Sequence, residues 1–317
     1  MAIQEFSLIS RYFAALGGTS DNLLLGVGDD CALFSLPPGC QLAVTTDSLV
    51  EGVHFPPECD PDSLAQRALR VNLSDLAAMG GSPLGFQLGL TLPAANEDWL
   101  TAFSRGLGRD ALAFACPLSG GDTTRGPLTI TITLLGAVPA GRALVRSGAG
   151  AGDLVYVTGT LGDSRGGLEV MRNGREDCQP LLERYWRPQP RLRAGQLLRD
   201  FASAAIDISD GLVQDVGHIA SHSGLGCTIE SERLPLSSPL INAFGRATAS
   251  RWALGGGDDY ELCFTVPPAR TAAMEQALAA AGETVTRIGA MTSGSGVTCV
   301  DARGQPIIVE EAGYAHF

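Results

Sequence analysis

The chain contains no lysine: its 22 basic residues, among 317 in all, are every one arginine. That absence removes whole mechanisms, because Schiff-base and pyridoxal chemistry, the phosphate-binding P-loop and the protein-kinase ATP site each depend on a lysine amine. Any phosphate handled here falls to arginine, backbone amides and metal. Positive charge is short overall, with 34 acidic residues giving a net charge of -12 and a pI near 4.7, which excludes the basic face a nucleic-acid partner needs. No apolar run approaches the ~20 residues of a membrane span. The opening MAIQEFSLISRYF lacks a basic start, a long apolar core and a small-residue cleavage site, so the expected location is cytoplasmic. No CxxC pair occurs among the eight cysteines, and their scatter through apolar runs reads as reduced, buried thiols. His218 and His222 have i, i+4 spacing but lack the glutamate of HExxH, and no zinc site is expected there.

What is present suits a globular protein of two domains: the length is about twice that of a typical domain, and 45% of residues are hydrophobic. Strand-like and helical runs alternate throughout, which signals an α+β or α/β architecture. Residues 42–46 read as a short strand ending at Asp47, and 128–138 (LTITITLLGAV) as a longer one. Between them, Ser63 and Gln66 form a capping box for a helix that ends at Gly80-Gly81. Residues 139–149, within a stretch rich in Gly, Ala and Arg, divide an amino-terminal domain (1–138) from a carboxy-terminal one (150–317). In the latter, 154–158 is a strand, and GTLGDSRGG turns into a helix from about Leu168. Residues 204–208 form a strand before the helix opened by Ser209-Asp210-Gly211, and 260–266 a strand after the glycine loop 255–257. Pro267-Pro268 then opens an alanine-rich helix ending at Gly282.

The acidic residues gather at strand ends and beside glycines: Asp29-Asp30, Asp47, Asp75, Asp122, Asp207 with Asp210, and Asp258-Asp259. A lone Asp after Gly is an ordinary turn residue, but repetition at so many chain reversals points to function. Asp75 continues the stripe of Leu64, Ala68 and Val71 on one helix face, where a carboxylate needs a partner; alternatively the helix restarts at Asn72 and Asp75 is a cap. Thr45-Thr46-Asp47 suits a hard cation or an ordinary turn. Oxygen ligands with few histidines select Mg2+ over zinc or copper. Carboxylates would repel phosphate unless metal ions stand between them, as in nucleotide-dependent phosphoryl transfer. GTLGDSRGG and SGGD (119–122) offer backbone amides to an anion, and Arg146 offers a guanidinium fork or is a solvated boundary residue.

Taken together, GVGDDCALF, TTDSLVEGVHF, VNLSDLAAMGGSP, SGGDTT, TLLGAV, VRSGAGAGD, VTGTLGDS, AIDISDGL, GGGDDYELCF and GYAHF resemble the thiamine-monophosphate kinase family, almost end to end. The resemblance implies the fold of the aminoimidazole ribonucleotide synthetase superfamily. Its amino-terminal α+β domain pairs across a homodimer, and an α/β domain follows. It implies ATP and thiamine monophosphate as substrates, several Mg2+ ions held by Asp30, Thr45, Thr46, Asp47, Asp75, Asp122, Asp207 and Asp210, and direct in-line transfer. It further implies Gly121, Asp122, Arg146 and Ser209 at ATP, with His54, Asp258 and Tyr314 at the thiamine phosphate, and catalytic roles for Asp47, Asp122, Arg146 and Asp210. His54 could instead be a core histidine, and Asp258 stands where the family commonly has glutamate. Competing readings are another member of the superfamily, such as a selenophosphate synthetase, an aminoimidazole ribonucleotide synthetase or a hydrogenase maturation factor, and a non-catalytic, metal-binding dimer module. The amino-terminal cysteine and functional lysine of the selenophosphate enzyme and the cysteine-containing tail of the maturation factor are missing.

Overall fold

The structure, a computed structural model, describes residues 5–175, 178–310 and 313–314. The chain divides into two compact units, Met1–Leu76 with Gly81–Gly141, and Ala77–Gly80 with Arg142–Phe317. The sequence carries no sign that four residues at the end of a first-unit helix belong to the second.

In the first unit α1 (Glu5–Tyr12) precedes a ribbon of β1 (Leu23–Leu25) and β2 (Leu33–Phe34). There follow β3 (Cys40–Val50), α2 (Pro61–Ala78), β4 (Ser82–Leu92), α3 (Glu97–Ala113), β5 (Leu118–Arg125) and β6 (Thr129–Pro139). The four long strands form one sheet in the order β3-β6-β4-β5, antiparallel except for β4 with β5. The Thr-Ile alternation of β6 fixes its faces: Ile130, Ile132 and Leu134 are buried, while Thr129, Thr131 and Thr133 lie on the less covered face. Leu76 of α2 lies over Gly136 of β6. Helix α3 is tied to α2 by Arg70 with Asp110 (2.5 Å) and by Arg105 and Arg109 with Asp62 (2.8 and 3.0 Å).

Three expectations for this unit are corrected. The α2 cap is Asp60, whose Oδ2 accepts from the Ser63 amide (2.9 Å) and hydroxyl (2.7 Å), while Gln66 donates to Asp110 (2.9 Å). With Pro61 as first helical residue this is the better start, since proline needs no amide partner there. Helix α2 runs unbroken through Asn72, so Asp75 stands on its body and is no cap. Strands β3 and β5 run through Asp47 and Asp122, so these two aspartates lie inside strands and not at chain reversals. Their ladder bonds, to β6 and to β4, override the local turn signal.

The second unit contains β7 (Leu154–Thr158), α4 (Asp163–Arg172), α5 (Gln179–Trp186), α6 (Leu192–Leu198), β8 (Ala204–Asp207), α7 (Leu212–His222) and β9 (Gly226–Glu230). It continues with α8 (Ser238–Phe244), α9 (Arg246–Gly255), β10 (Leu262–Val266), α10 (Thr271–Ala280), β11 (Val285–Thr292) and β12 (Gly296–Val300). Its sheet has the order β12-β9-β11-β7-β10-β8, with only β12 and β9 parallel. Strand alternation feeds two cores. Val155, Val157, Ile206 and Cys263 pack with Val216 and Ile219 of α7. Tyr156, Ala205, Leu262 and Phe264 pack with Leu198 of α6 and Leu278 of α10. Helix α4 starts at Asp163, not near Leu168, and absorbs most of the glycine-rich stretch. A Cβ on Gly167 would stand 2.3 Å from the Leu181 carbonyl oxygen of α5, so this glycine serves close helix packing. Of the eight free cysteines, 116, 227, 263 and 299 are buried, and Cys31 is exposed, against the expectation of uniform burial. Among the described residues no helix is long and apolar enough to cross a membrane.

Candidate active site

In the first unit the two-residue period of β3 sorts the Thr45-Thr46-Asp47 run. Thr45 and Asp47 project to the α2 side, where the Thr45 hydroxyl donates to Asp75 Oδ2 (2.6 Å) and the Asp47 amide donates to Asn72 Oδ1 (3.2 Å). Asn72 is itself fixed by donating to the Ala68 carbonyl (3.0 Å). Burial, then the charge of Asp75 and a hydrogen bond with it, push the Asp47 carboxyl up to about 6. No basic side chain enters that balance. Thr46 points to the opposite face, paired with Thr133 (3.0 Å), as Ser48 is with Thr131 (2.7 Å).

Asp122 stands on β5, at the far edge of the same sheet. Its register runs through Gly89 and Thr131 to Ser48, three inter-strand steps, or about 14 Å. The carboxylate is exposed and takes no hydrogen bond among the described residues. Gly121 beside it has φ +147, and a Cβ there would stand 1.9 Å from the Leu88 carbonyl oxygen; only glycine lets β5 pair here. Asp30 lies in the exposed β1–β2 loop, its amide donating to Asp29 Oδ1 (2.9 Å). His54 follows β3 in a turn, with its Nδ1 accepting the Val50 amide (3.0 Å), which leaves the ring proton of the neutral form on Nε2.

In the second unit Asp207 ends β8 and is buried, and the next turn carries Ser209 and Asp210. The structure joins residues that the sequence presents far apart. The Ser209 carbonyl accepts the Asp258 amide (2.7 Å), the Ile208 carbonyl accepts the Tyr260 amide (2.8 Å), and the Asp210 carbonyl accepts the Tyr314 amide (3.0 Å). Asp258 and Tyr260 both adopt left-handed backbone, with φ +61 and +51, a cost of about 1 kcal/mol or more each. The Tyr260 hydroxyl holds Asp258 Oδ1 (3.0 Å). Gln214 donates to Asp210 Oδ2 (2.9 Å). Arg146 is exposed and makes no ion pair among the described residues.

In the glycine-rich 159–167 stretch three amides are bonded within the chain: Gly159 donates to Thr284 (3.0 Å), Leu161 to Pro235 (3.0 Å), and Gly162 to both oxygens of Asp259 (2.9 Å each). Burial drives the Asp259 carboxyl well above the usual range. The amides of Ser209, Asp210 and Gly211 are likewise taken, by Asp215. Among the described residues no three His, Cys, Asp or Glu side chains gather closely enough to hold a metal ion by themselves. The Asp47–Asp75 pair with the Thr45 hydroxyl brings two carboxyls and a hydroxyl oxygen together. Asn72, Asp215 and Tyr260 were not legible as site residues. Asn72 had a signal, standing one helical turn before Asp75.

The chain matches the model of the AIR synthase related protein, N-terminal domain, over residues 28–138, and that of the C-terminal domain over 150–302. It is 48% identical to the thiamine-monophosphate kinase of Escherichia coli K12 over 100% of this chain and 99% of that one. The solved thiamine-monophosphate kinase of Stenotrophomonas maltophilia K279a superposes with a TM-score of 0.88 at 42% identity, covering 97% of this chain and 99% of its own. An AaThiL chain complexed with AMPPCP and TMP superposes at 0.79 with 34% identity, covering 94% and 93%. Motifs, fold and full-length similarity agree, and the chain belongs to the thiamine-monophosphate kinase family of AIR synthase related proteins.

Proposed function

We infer that this protein is an enzyme that transfers the γ-phosphoryl group of ATP to thiamine monophosphate, giving thiamine diphosphate. The observation that carries the reading is the half-buried Asp47–Asp75 pair, in which the charge of one carboxyl pushes the other up, in a chain of this family. An all-oxygen set of this kind fits Mg2+. Asp47, Asp75 and Thr45 would hold it in the first unit, with Asp30, Thr46 and Asp122 as further ligands there and Asp207 and Asp210 in the second. Bound there, Mg2+ would neutralise phosphate charge as it is passed on.

The remaining work belongs to side chains. The acceptor is a phosphate monoester with a second pKa near 6, largely a dianion at pH 7, so no protein base is needed. Its oxygen attacks the γ-phosphorus directly and in line, with ADP leaving. Arg146, without a carboxylate among the described residues, offers a fork to ATP phosphate, and Gly121 and the Ser209 side chain border the nucleotide. The proton on His54 Nε2 can be donated to the substrate phosphate. The Tyr314 ring, 46% exposed, can cover the thiazolium cation, with Asp258 supplying negative charge.

A homodimer completes this reading. Strand β3 pairs only with β6 among the described residues, leaving eleven residues of open edge, and Leu42 and Val44 are 48% and 58% exposed on its outer face. Such an edge calls for a cover, and a second copy supplies one. Asp47 and Asp122, at opposite edges of one sheet, could share a metal only if one of them came from that copy. The roles fall to an amino-terminal domain of 1–138 and a carboxy-terminal domain of 150–317, joined by 139–149. Eight free cysteines suit a reducing cytoplasm.

Incubation with ATP, MgCl2 and thiamine monophosphate is expected to yield thiamine diphosphate and ADP in equal amounts. Labelled ADP should not exchange into ATP when thiamine phosphates are left out. No product would overturn the kinase in favour of a non-catalytic module, and exchange at the rate of turnover would replace direct transfer by a phospho-enzyme.

A further inference from the structure

Asp215 sits in the first turn of α7 and is 2% exposed. Its Oδ2 accepts three successive backbone amides, those of Ser209 (3.1 Å), Asp210 (3.2 Å) and Gly211 (3.1 Å). Helix α7 has no side-chain cap at its Gly211 N-cap; of the three amides only that of Gly211 is one that a helix start leaves without a partner, and the other two belong to the turn before it. Convergent amides of this kind normally receive an anion; here the anion is built in, reaching backward from the helix. The same peptides carry outward bonds: the Ser209 carbonyl to Asp258 and the Asp210 carbonyl to Tyr314. Turning the amides inward therefore fixes where the Ser209 hydroxyl, the Asp210 carboxylate, Asp258 and Tyr314 point. Gly211 cannot carry a capping side chain without strain, since its φ is +138 and a Cβ there would stand 3.1 Å from the Gly255 backbone. Burying a carboxylate without a cationic partner among the described residues is costly, and because its oxygen takes two amides that precede the helix as well as that of Gly211, what it secures is the shape of the 209–211 turn.

We propose that Asp215 is a positioning residue for the phosphoryl transfer, holding the 209–211 turn in the form that presents Asp210, Asp258 and Tyr314. The proposal rests on the kinase reading. Its test compares wild type with Asp215→Ala, Asp215→Asn and Asp215→Glu, by thermal melts, by exchange of the 209–211 amides, and by kcat, KM and Mg2+ requirement at a temperature where each is folded. Asp215→Ala should lose about 100-fold in kcat, the scale of a 1 Å misplacement, and exchange its three amides faster. Asparagine keeps an acceptor oxygen and should recover most of that loss, to within about tenfold of wild type. Glutamate keeps charge and acceptor but moves the oxygen by a methylene; a kcat loss of at least about tenfold at unchanged melting temperature is expected, and it carries the test if the alanine variant does not fold. Wild-type kcat in a folded alanine or glutamate variant, with only the melting temperature lowered, would overturn the proposal. So would equal loss in alanine and asparagine, because charge and not acceptor geometry would then be at issue. Absence of turnover in wild type with protected 209–211 amides would overturn the kinase reading alone.

Discussion

Two carboxylate sites in this molecule, one fully buried and one half-buried, differ in one respect that decides their roles. Glu261, on the approach to β10, is fully buried, and every direction around it is filled: Arg191 forks onto it through Nε and Nη2 (2.6 and 2.7 Å), Arg184 adds a third cation contact (2.6 Å), and the Thr158 hydroxyl a fourth bond (2.5 Å). Asp47, by contrast, lies beside a second carboxyl, Asp75, whose charge pushes it up, with the Thr45 hydroxyl and the Asn72 side chain close by. The first arrangement is complete within the chain. The second sets two carboxyls against each other, and it is the kind of place where a metal belongs.

The largest effect should come from breaking the complete group. Glu261→Gln leaves Arg184 facing a neutral amide and Arg191 with only Glu283 (3.4 Å), at a cost of about 3 kcal/mol. For a unit of this size that is roughly 6–12 °C in melting temperature. Because its neighbours are structural, kcat at low temperature should stay within about threefold of wild type. An unchanged melt with a collapsed kcat would show that the arginine-bound carboxylate is the functional one and reverse the comparison.

The opposite pattern is expected at the incomplete group. Asp47→Asn should lower kcat by at least ~100-fold, about 2.7 kcal/mol, by removing a metal-anchoring charge, and Asp122→Asn should do likewise. Stability moves the other way. The Asp47 carboxyl titrates near 3.8 ordinarily and at about 6 in the folded chain, so without metal the folded state binds the extra proton between those values. Stability contributed by this group then falls as pH rises from about 4 to 6, and the deficit is full above 6. With a chelator at pH 7.5, Asp47→Asn should be more stable to unfolding than wild type, by an amount of order 1–3 kcal/mol. Asp122 is exposed, and its asparagine variant should melt like wild type. A normal kcat at ordinary Mg2+, or an Asp47→Asn protein that is less stable without metal, would remove the distinction between the two groups.

What the sequence makes legible follows the range of the forces involved. The Thr-Ile alternation of β6 and the strand at Leu154–Thr158 depend on period alone and read directly. The start of α2 does not, because Asp60, Asp62 and Ser63 all suit a cap and only hydrogen bonds choose Asp60. The packing role of Gly167 in α4 does not read, since the carbonyl of Leu181 that requires it belongs to another helix. The same holds for the site. Asp47 and Asp75 could be singled out by type and spacing, whereas the bonds linking Asp258 and Tyr314 to the 209–211 turn come from chain segments that no local pattern connects.

The smallest effect concerns an arginine on the other side of the comparison. Arg184 and Arg191 are spent on Glu261, while Arg146 is exposed and without a carboxylate among the described residues. An arginine in that condition has its guanidinium fork available for phosphate. Arg146→Lys keeps the charge but replaces two parallel donors in a plane with a single ammonium point, so it should be impaired by about tenfold in kcat/KM for ATP. Since the side chain supports no packing, the melting temperature should not move. Steady-state kinetics at varied ATP decide the matter. If lysine serves as well as arginine in both kcat and KM, Arg146 contributes only charge or nothing, and its freedom from carboxylates reflects an ordinary solvated position.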